Sequence, residues 1–240
     1  MHLDELTAFL AHYFQTYRYP TDEQGGLYRG ANRAVRRIGL ALEPQPGLSH
    51  WVRKQQIDAL WIHRPWRLAL RQFPTDLPIL YHHLPFDETL TTGYNVPLAT
   101  ALALRNLEEI GYKQAEGLPP RAIGMIGDTS ALALPGWLER LRAEFGGYDE
   151  VVPGSADQPA RVAVVGAMNE ALVREAADRG VTLYLTGQYR PSARRAVAET
   201  GLHVVALGHR RTEEWGVRAL AQVLSEHWPD LQVLTYLAPD

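Results

Sequence analysis

The chain has 240 residues, 46% of them hydrophobic and 21% charged, enough to bury a sizeable core in one large domain or two small ones. Its formal net charge of −3 gives no global attraction to nucleic acid, and with no cysteine it can hold neither a disulfide, a thiolate nucleophile nor a sulfur-rich zinc site. No charged segment leads into an apolar one and no apolar run approaches ~20 residues, so neither a signal peptide nor a membrane span is expected, and the expected location is the cytoplasm.

In chain order, apolar residues at helical spacing (Leu6, Phe9, Leu10, Tyr13, Phe14) predict an amphipathic helix over Leu3 to Tyr17, ended by the loop chemistry of Tyr19 to Gly26. Short apolar runs then predict strands at Arg37 to Leu42, Ile57 to Ile62 and Pro78 to Tyr81, followed by a helix over Asn95 to Arg105. The rhythm repeats with strands near Ala122 to Ile126, Arg161 to Val165, Val181 to Leu185, His203 to Leu207 and Leu231 to Tyr236. Helices near Pro135 to Phe145, Asn169 to Arg179, Pro191 to Thr200 and Thr212 to Trp228 supply the crossovers. This is an α/β chain. The composition shift at Gly117-Leu-Pro-Pro120 divides it into two α/β halves, 1–116 and 117–240.

Three of these strands run into metal-ligand chemistry. Ile62 leads into His63-Arg64-Pro65, Tyr81 into His82-His83-Leu-Pro-Phe-Asp87, and Leu207 into Gly208-His209-Arg-Arg-Thr-Glu213. In open α/β sheets, ligands bind where loops from the carboxyl ends of different strands converge. Imidazole and carboxylate together suit zinc, manganese, iron or nickel. Any one His-x3-Asp or His-x3-Glu pair arises by chance in many proteins, as a polar strand end or a solvated loop pair; it is their shared placement that points to metal. His82 is read as facing away from His83. Thr212 is expected to cap the last long helix, placing Glu213 in its first turn.

HHLPFD followed by Gly93-Tyr-Asn95 and Leu98 to Leu104, together with RVAVVG at 161–166, LYLTG at 183–187 and GHRRTE at 208–213, resembles the Nif-three-like dinuclear-metal family, also known as GTP cyclohydrolase 1 type 2. The resemblance implies two intertwined α/β halves with mixed sheets and a metal site shared between them. It also implies metal ligands at His63, His83, Asp87, His209 and Glu213, and a ring-like homo-oligomer, a hexamer, with the sites facing an internal cavity. The implied activity is metal-dependent hydrolysis of a small anionic substrate, with Glu213 as a ligand or general base; the alternative is a noncatalytic scaffold or ligand-binding protein. Where the family has a second adjacent imidazole this chain has Arg64, which cannot ligate a metal. One divalent ion per chain is therefore expected, with Arg64, Arg190 and Arg210 as substrate contacts. Gln188 and Ser192 stand near where the family has Asp and His, and Ala167-Met-Asn-Glu170 replaces a Gly-rich turn.

Other motifs point elsewhere. Gly127-Asp-Thr-Ser130 reads as a turn and lacks the P-loop pattern, and neither a Gly-x-Ser-x-Gly elbow nor a dinucleotide fingerprint occurs. The basic run Arg29 to Arg37 reads as a solvated face, and Trp137, Trp215 and Trp228 as packing residues.

Overall fold

The computed structural model describes residues 1–31 and 33–237. The elements run α1 (Leu3–Tyr13), β1 (Gly26–Arg29), β2 (Arg37–Ala41), α2 (Leu48–Lys54), β3 (Ala59–Ile62), β4 (Ile79–Tyr81), α3 (Leu84–Leu90) and α4 (Val96–Ala101). They continue with β5 (Arg105–Lys113), β6 (Arg121–Asp128), α5 (Leu134–Phe145), β7 (Glu150–Val152), β8 (Arg161–Val165), α6 (Glu170–Asp178), β9 (Leu183–Thr186), α7 (Arg194–Thr200), β10 (His203–Ala206), α8 (His209–His227) and β11 (Gln232–Tyr236).

Two compact units result, one of residues 1–86 and 216–240, the other of 87–215. The first holds a five-stranded mixed sheet ordered β1-β4-β3-β2-β11, in which all neighbours are parallel except β1 and β4. Two of its three interior strands, β2 and β3, are almost wholly buried, and α1 buries Leu3, Leu6 and Leu10. The second unit holds a six-stranded mixed sheet ordered β5-β6-β8-β9-β10-β7, with β8, β9 and β10 parallel. Its core joins β8 and β9 to α6 through Ala163, Val165, Tyr184, Leu172, Val173 and Ala176. The α/β class and the mixed sheets agree with the sequence reading. No helix among the described residues is long and apolar enough to cross a membrane.

Several local expectations are corrected. The Gly117 to Pro120 segment, expected at the boundary between halves, joins β5 and β6, which pair antiparallel in one sheet. The division falls after Phe86 and after Trp215 instead, and the C-terminal β11 pairs in register with β2 of the first sheet. The helix expected to reach Arg105 ends at Ala101, where Ala103 takes a positive φ of 54° and Arg105 opens β5. The first helix stops at Tyr13, short of Tyr17. Thr212 is no cap, because α8 begins at His209 and the Thr212 hydroxyl donates to the His209 carbonyl at 2.7 Å.

The basic run is drawn into the first unit rather than left as a solvated face; its Asn32 lies outside the described residues. Arg29 donates to the carbonyls of Leu77 and Pro74, Arg33 pairs with Asp58 and Asp76, and Arg37 bonds Gln232. Gly127 and Asp128, expected in a turn, instead end β6, and Asp128 pairs with Arg161 at 2.6 Å. Trp137 and Trp215 are buried, and Trp228 packs edge-on to Phe9 with ring centroids 4.8 Å apart.

Candidate metal centre

β3 and β4 are parallel neighbours, so the residues following them emerge at the same end of the sheet. His63 follows β3. Its backbone N–H donates to Ala41 O at 3.0 Å and that of Arg64 to Leu42 O at 2.8 Å, so hydrogen bonding to the chain of β2 continues past the strand end. The His63 ring is fully buried, with its centroid 4.8 Å from Phe86 and 5.0 Å from His83. Nδ1 lies 3.0 Å from the backbone oxygen of His82. A carbonyl oxygen only accepts, so neutral His63 carries its proton on Nδ1 and presents the Nε2 lone pair, the arrangement of a metal-ligating histidine.

His82 belongs to the core. Trp61 Nε1 donates to its Nδ1 at 3.1 Å, and its ring lies 4.8 Å from that of Phe14. Burial pushes its pKa down to about 3, which keeps it neutral at physiological pH.

His83 immediately precedes α3 and Asp87 lies in its first turn. Positions four apart share one helix face. The pair therefore presents an imidazole and a carboxylate together, and His63, His83 and Asp87 each offer a ligand atom within 4.8 Å of the others. Two neutral imidazoles and a carboxylate fit a borderline divalent ion, so this cluster can hold a metal. Trp66, 54% exposed, stands edge-on to His83 at 4.8 Å.

The Gly-x-Asn segment that follows serves as scaffold. A Cβ on Gly93 would stand 2.0 Å from the Glu88 backbone oxygen, so only glycine permits this close return of the chain after α3. Asn95 caps α4, accepting from the Leu98 N–H at 3.0 Å while donating to Thr91 O at 2.9 Å. Thr91 in turn donates to the Asp87 carbonyl at 2.6 Å.

In the second unit, His209 opens α8 after Gly208, whose φ of +95° suits glycine and whose Cβ would fall 2.7 Å from the Arg211 side chain. One turn apart, His209 Nε2 and Glu213 Oε1 lie 2.9 Å from each other; the Glu213 side chain is 1% exposed and that of His209 62%. Of the expected substrate contacts, Arg64 is half-buried, Arg190 is exposed, and Arg210 is ion-paired with Glu214 at 2.8 Å. Sequence reasoning missed the His82 carbonyl, because a backbone group carries no residue signature. It also passed over Glu88, whose only signal was its place beside Asp87.

Residues 67–238 match the family model described as Duf34/NIF3 (NGG1p interacting factor 3). A Deinococcus radiodurans protein named GTP cyclohydrolase 1 type 2 homolog is 26% identical over 239 residues, covering 94% of this chain and 89% of the relative. A Pyrococcus abyssi protein of the same name is 26% identical over 246 residues, covering 94% of each. Among solved structures, protein ybgI, of unknown function, superposes with a TM-score of 0.78 at 21% identity, covering 100% of this chain and 99% of that one. TTHA1606 from Thermus thermophilus gives 0.76 at 24% identity with the same coverage. At these identities the two structures share the fold with this chain.

Proposed function

This chain belongs to the Duf34/NIF3 family, and we propose that it is a divalent-metal-dependent hydrolase of cyclohydrolase or phosphoesterase type acting on a small anionic, nucleotide-class substrate. The observation that carries this reading is the cluster of His63, His83 and Asp87, with ligand atoms within 4.8 Å of one another. The relatives' name, GTP cyclohydrolase 1 type 2 homolog, supports a nucleotide, and the exposed indole of Trp66 beside His83 offers a surface on which a planar ring can stack. His209 and Glu213 are proposed as ligands as well.

A divalent ion so held supplies Lewis-acid polarisation and brings the ionisation of water toward neutral pH. His63 and His83 ligate as neutral imidazoles, with the His63 tautomer set by the His82 carbonyl. Glu213, when it does not ligate, accepts a proton as general base, with His209 as its hydrogen-bonding partner. Arg64, Arg190 and Arg210 are proposed to bind the substrate's anionic groups. One ion per chain is proposed, because Arg64 puts a permanent positive charge beside His63 and raises the energy of a second cation nearby.

Elemental analysis of protein purified without chelator or added metal, joined to an activity screen on nucleotides and phosphoesters, tests this reading. It expects near-stoichiometric metal and hydrolysis of at least one substrate. Metal-free, inactive protein would instead favour a noncatalytic scaffold or ligand-binding role, for which the Arg64 substitution is the supporting observation. A homo-oligomer, a hexamer, is proposed for either role; a particle of 26.9 kDa by light scattering at micromolar concentration would refute it.

A further inference from the structure

Asp87 and Glu88 are consecutive on α3, so their side chains leave the helix about 100° apart. Asp87 takes part in the metal cluster, whereas Glu88 turns to β6. There the Glu88 carboxylate accepts from Arg121 Nε at 2.7 Å, and the two side chains are 8% and 7% exposed. Lys113 Nζ, on β5, adds a longer contact at 3.4 Å. A paired ionic group this deeply buried resists displacement, because moving either partner away strands a charge in a medium of low dielectric. The other side of the same residue is equally constrained, since the glycine at 93 lets the chain press against the Glu88 backbone oxygen.

We infer that the buried Glu88–Arg121 ion pair is a positioning device for the metal centre, fixing the rotation of α3 about its axis and thereby the direction of the Asp87 carboxylate. The inference rests on the metal-binding reading of His63, His83 and Asp87. A seven-residue helix has few intrahelical hydrogen bonds to hold its orientation, so a strong lateral tie determines where its side chains point. The burial of Phe86 and Leu90 holds α3 on its core, and the ion pair sets the remaining freedom of rotation, a few tens of degrees of which would swing the Asp87 carboxylate away from the two imidazoles. Arg121 and Glu88 touch no metal in this account; they act through Asp87.

The test uses Co2+ as the probe, titrated into the 240-residue chain and followed by visible absorption, which reports both affinity and ligand geometry. Because Glu88→Gln alone leaves Arg121 charged and buried, that variant is expected to lose thermal stability. The deciding variant is therefore the double replacement Glu88→Leu with Arg121→Met, which removes both charges and keeps apolar bulk in the same volume. It is expected to melt cooperatively near the parent temperature, to bind Co2+ about 10- to 100-fold more weakly, as loss of orienting partners of metal ligands does, and to shift the absorption spectrum toward that of Asp87→Ala. Arg121→Lys, which keeps the charge but not the guanidinium geometry, should fall between parent and double variant. A folded double variant with the parent's affinity and spectrum overturns the inference while leaving the metal reading intact. A double variant that does not fold makes the pair a general stabiliser, and this too overturns the positioning role unless Arg121→Lys folds with the spectral shift. Failure of the parent chain itself to bind Co2+ overturns the metal reading, and the inference with it.

Discussion

His63 Nδ1 stands 3.0 Å from the backbone oxygen of His82, and this contact between neighbouring strand ends decides which nitrogen of His63 faces the metal cluster. Because the orienting group is main chain, no side-chain substitution at 82 removes it. His63→Ala does remove the proposed ligand, and it opens a cavity at a fully buried position. Metal content is expected to fall at least tenfold by mass spectrometry of the purified protein, with a loss of about 1–3 kcal/mol in unfolding free energy from the cavity. Retained metal would remove His63 from the ligand set.

His209→Ala separates ligation from packing, since the replaced side chain is 62% exposed. The far-ultraviolet circular dichroism spectrum and melting temperature should stay within experimental scatter of the parent, while metal content drops sharply. Unchanged stoichiometry would show that the His209–Glu213 pair serves α8 alone.

Arg64→His places an imidazole where this chain has a guanidinium. Metal titration is expected to rise from one ion per chain toward two. An unmodified protein that already binds two ions tightly, or a variant whose count does not change, would show that Arg64 does not limit the stoichiometry.

Gly93→Ala tests the scaffold under α3. A Cβ there meets the Glu88 backbone oxygen at 2.0 Å, and backbone cannot yield as a flexible side-chain tip does. Denaturant unfolding should show a loss of about 3 kcal/mol or more, toward the severe end for overpacking, or no soluble protein at all. A parent-like midpoint would mean that the turn after α3 can relax.

A pH dependence is expected from the second unit. Hydrogen bonds from Arg161 and then Arg179 hold the Glu108 carboxyl below its usual 4.5, and those from Arg161 and then Asn106 hold Asp128 below its usual 3.8. With folded-state values depressed, the stabilisation is complete above those usual values and disappears as pH falls through the lower folded ones. Arg161→Gln should therefore lower stability at pH 7, by a small amount because the carboxylates are solvent-exposed, with the deficit shrinking as pH falls through the folded values and the acid transition moving slightly to higher pH. An unaltered acid transition would show that the network contributes nothing measurable.

Local chemistry along the chain was enough to place the elements whose burial is written into composition. The runs Arg161–Val165 and His203–Ala206 are strands buried on both faces, and such strands read as continuous apolar stretches. The same local order sets His83 and Asp87 four apart, which a helix converts into a candidate ligand pair. It did not reveal β5, an edge strand of charged and polar residues with an irregular register against β6, because such a strand is held by its neighbour's hydrogen bonds and not by its own pattern. Nor did it reveal α3, too short to be stable alone and fixed by the burial of Phe86 and Leu90 and by Glu88 on Arg121. Likewise, the meeting of His63 with His83 depends on the parallel register that sets Trp61 opposite Leu80. Residues 20 apart in sequence become neighbours only through that pairing, and strand register is a property of the assembled sheet, beyond the reach of local chemistry.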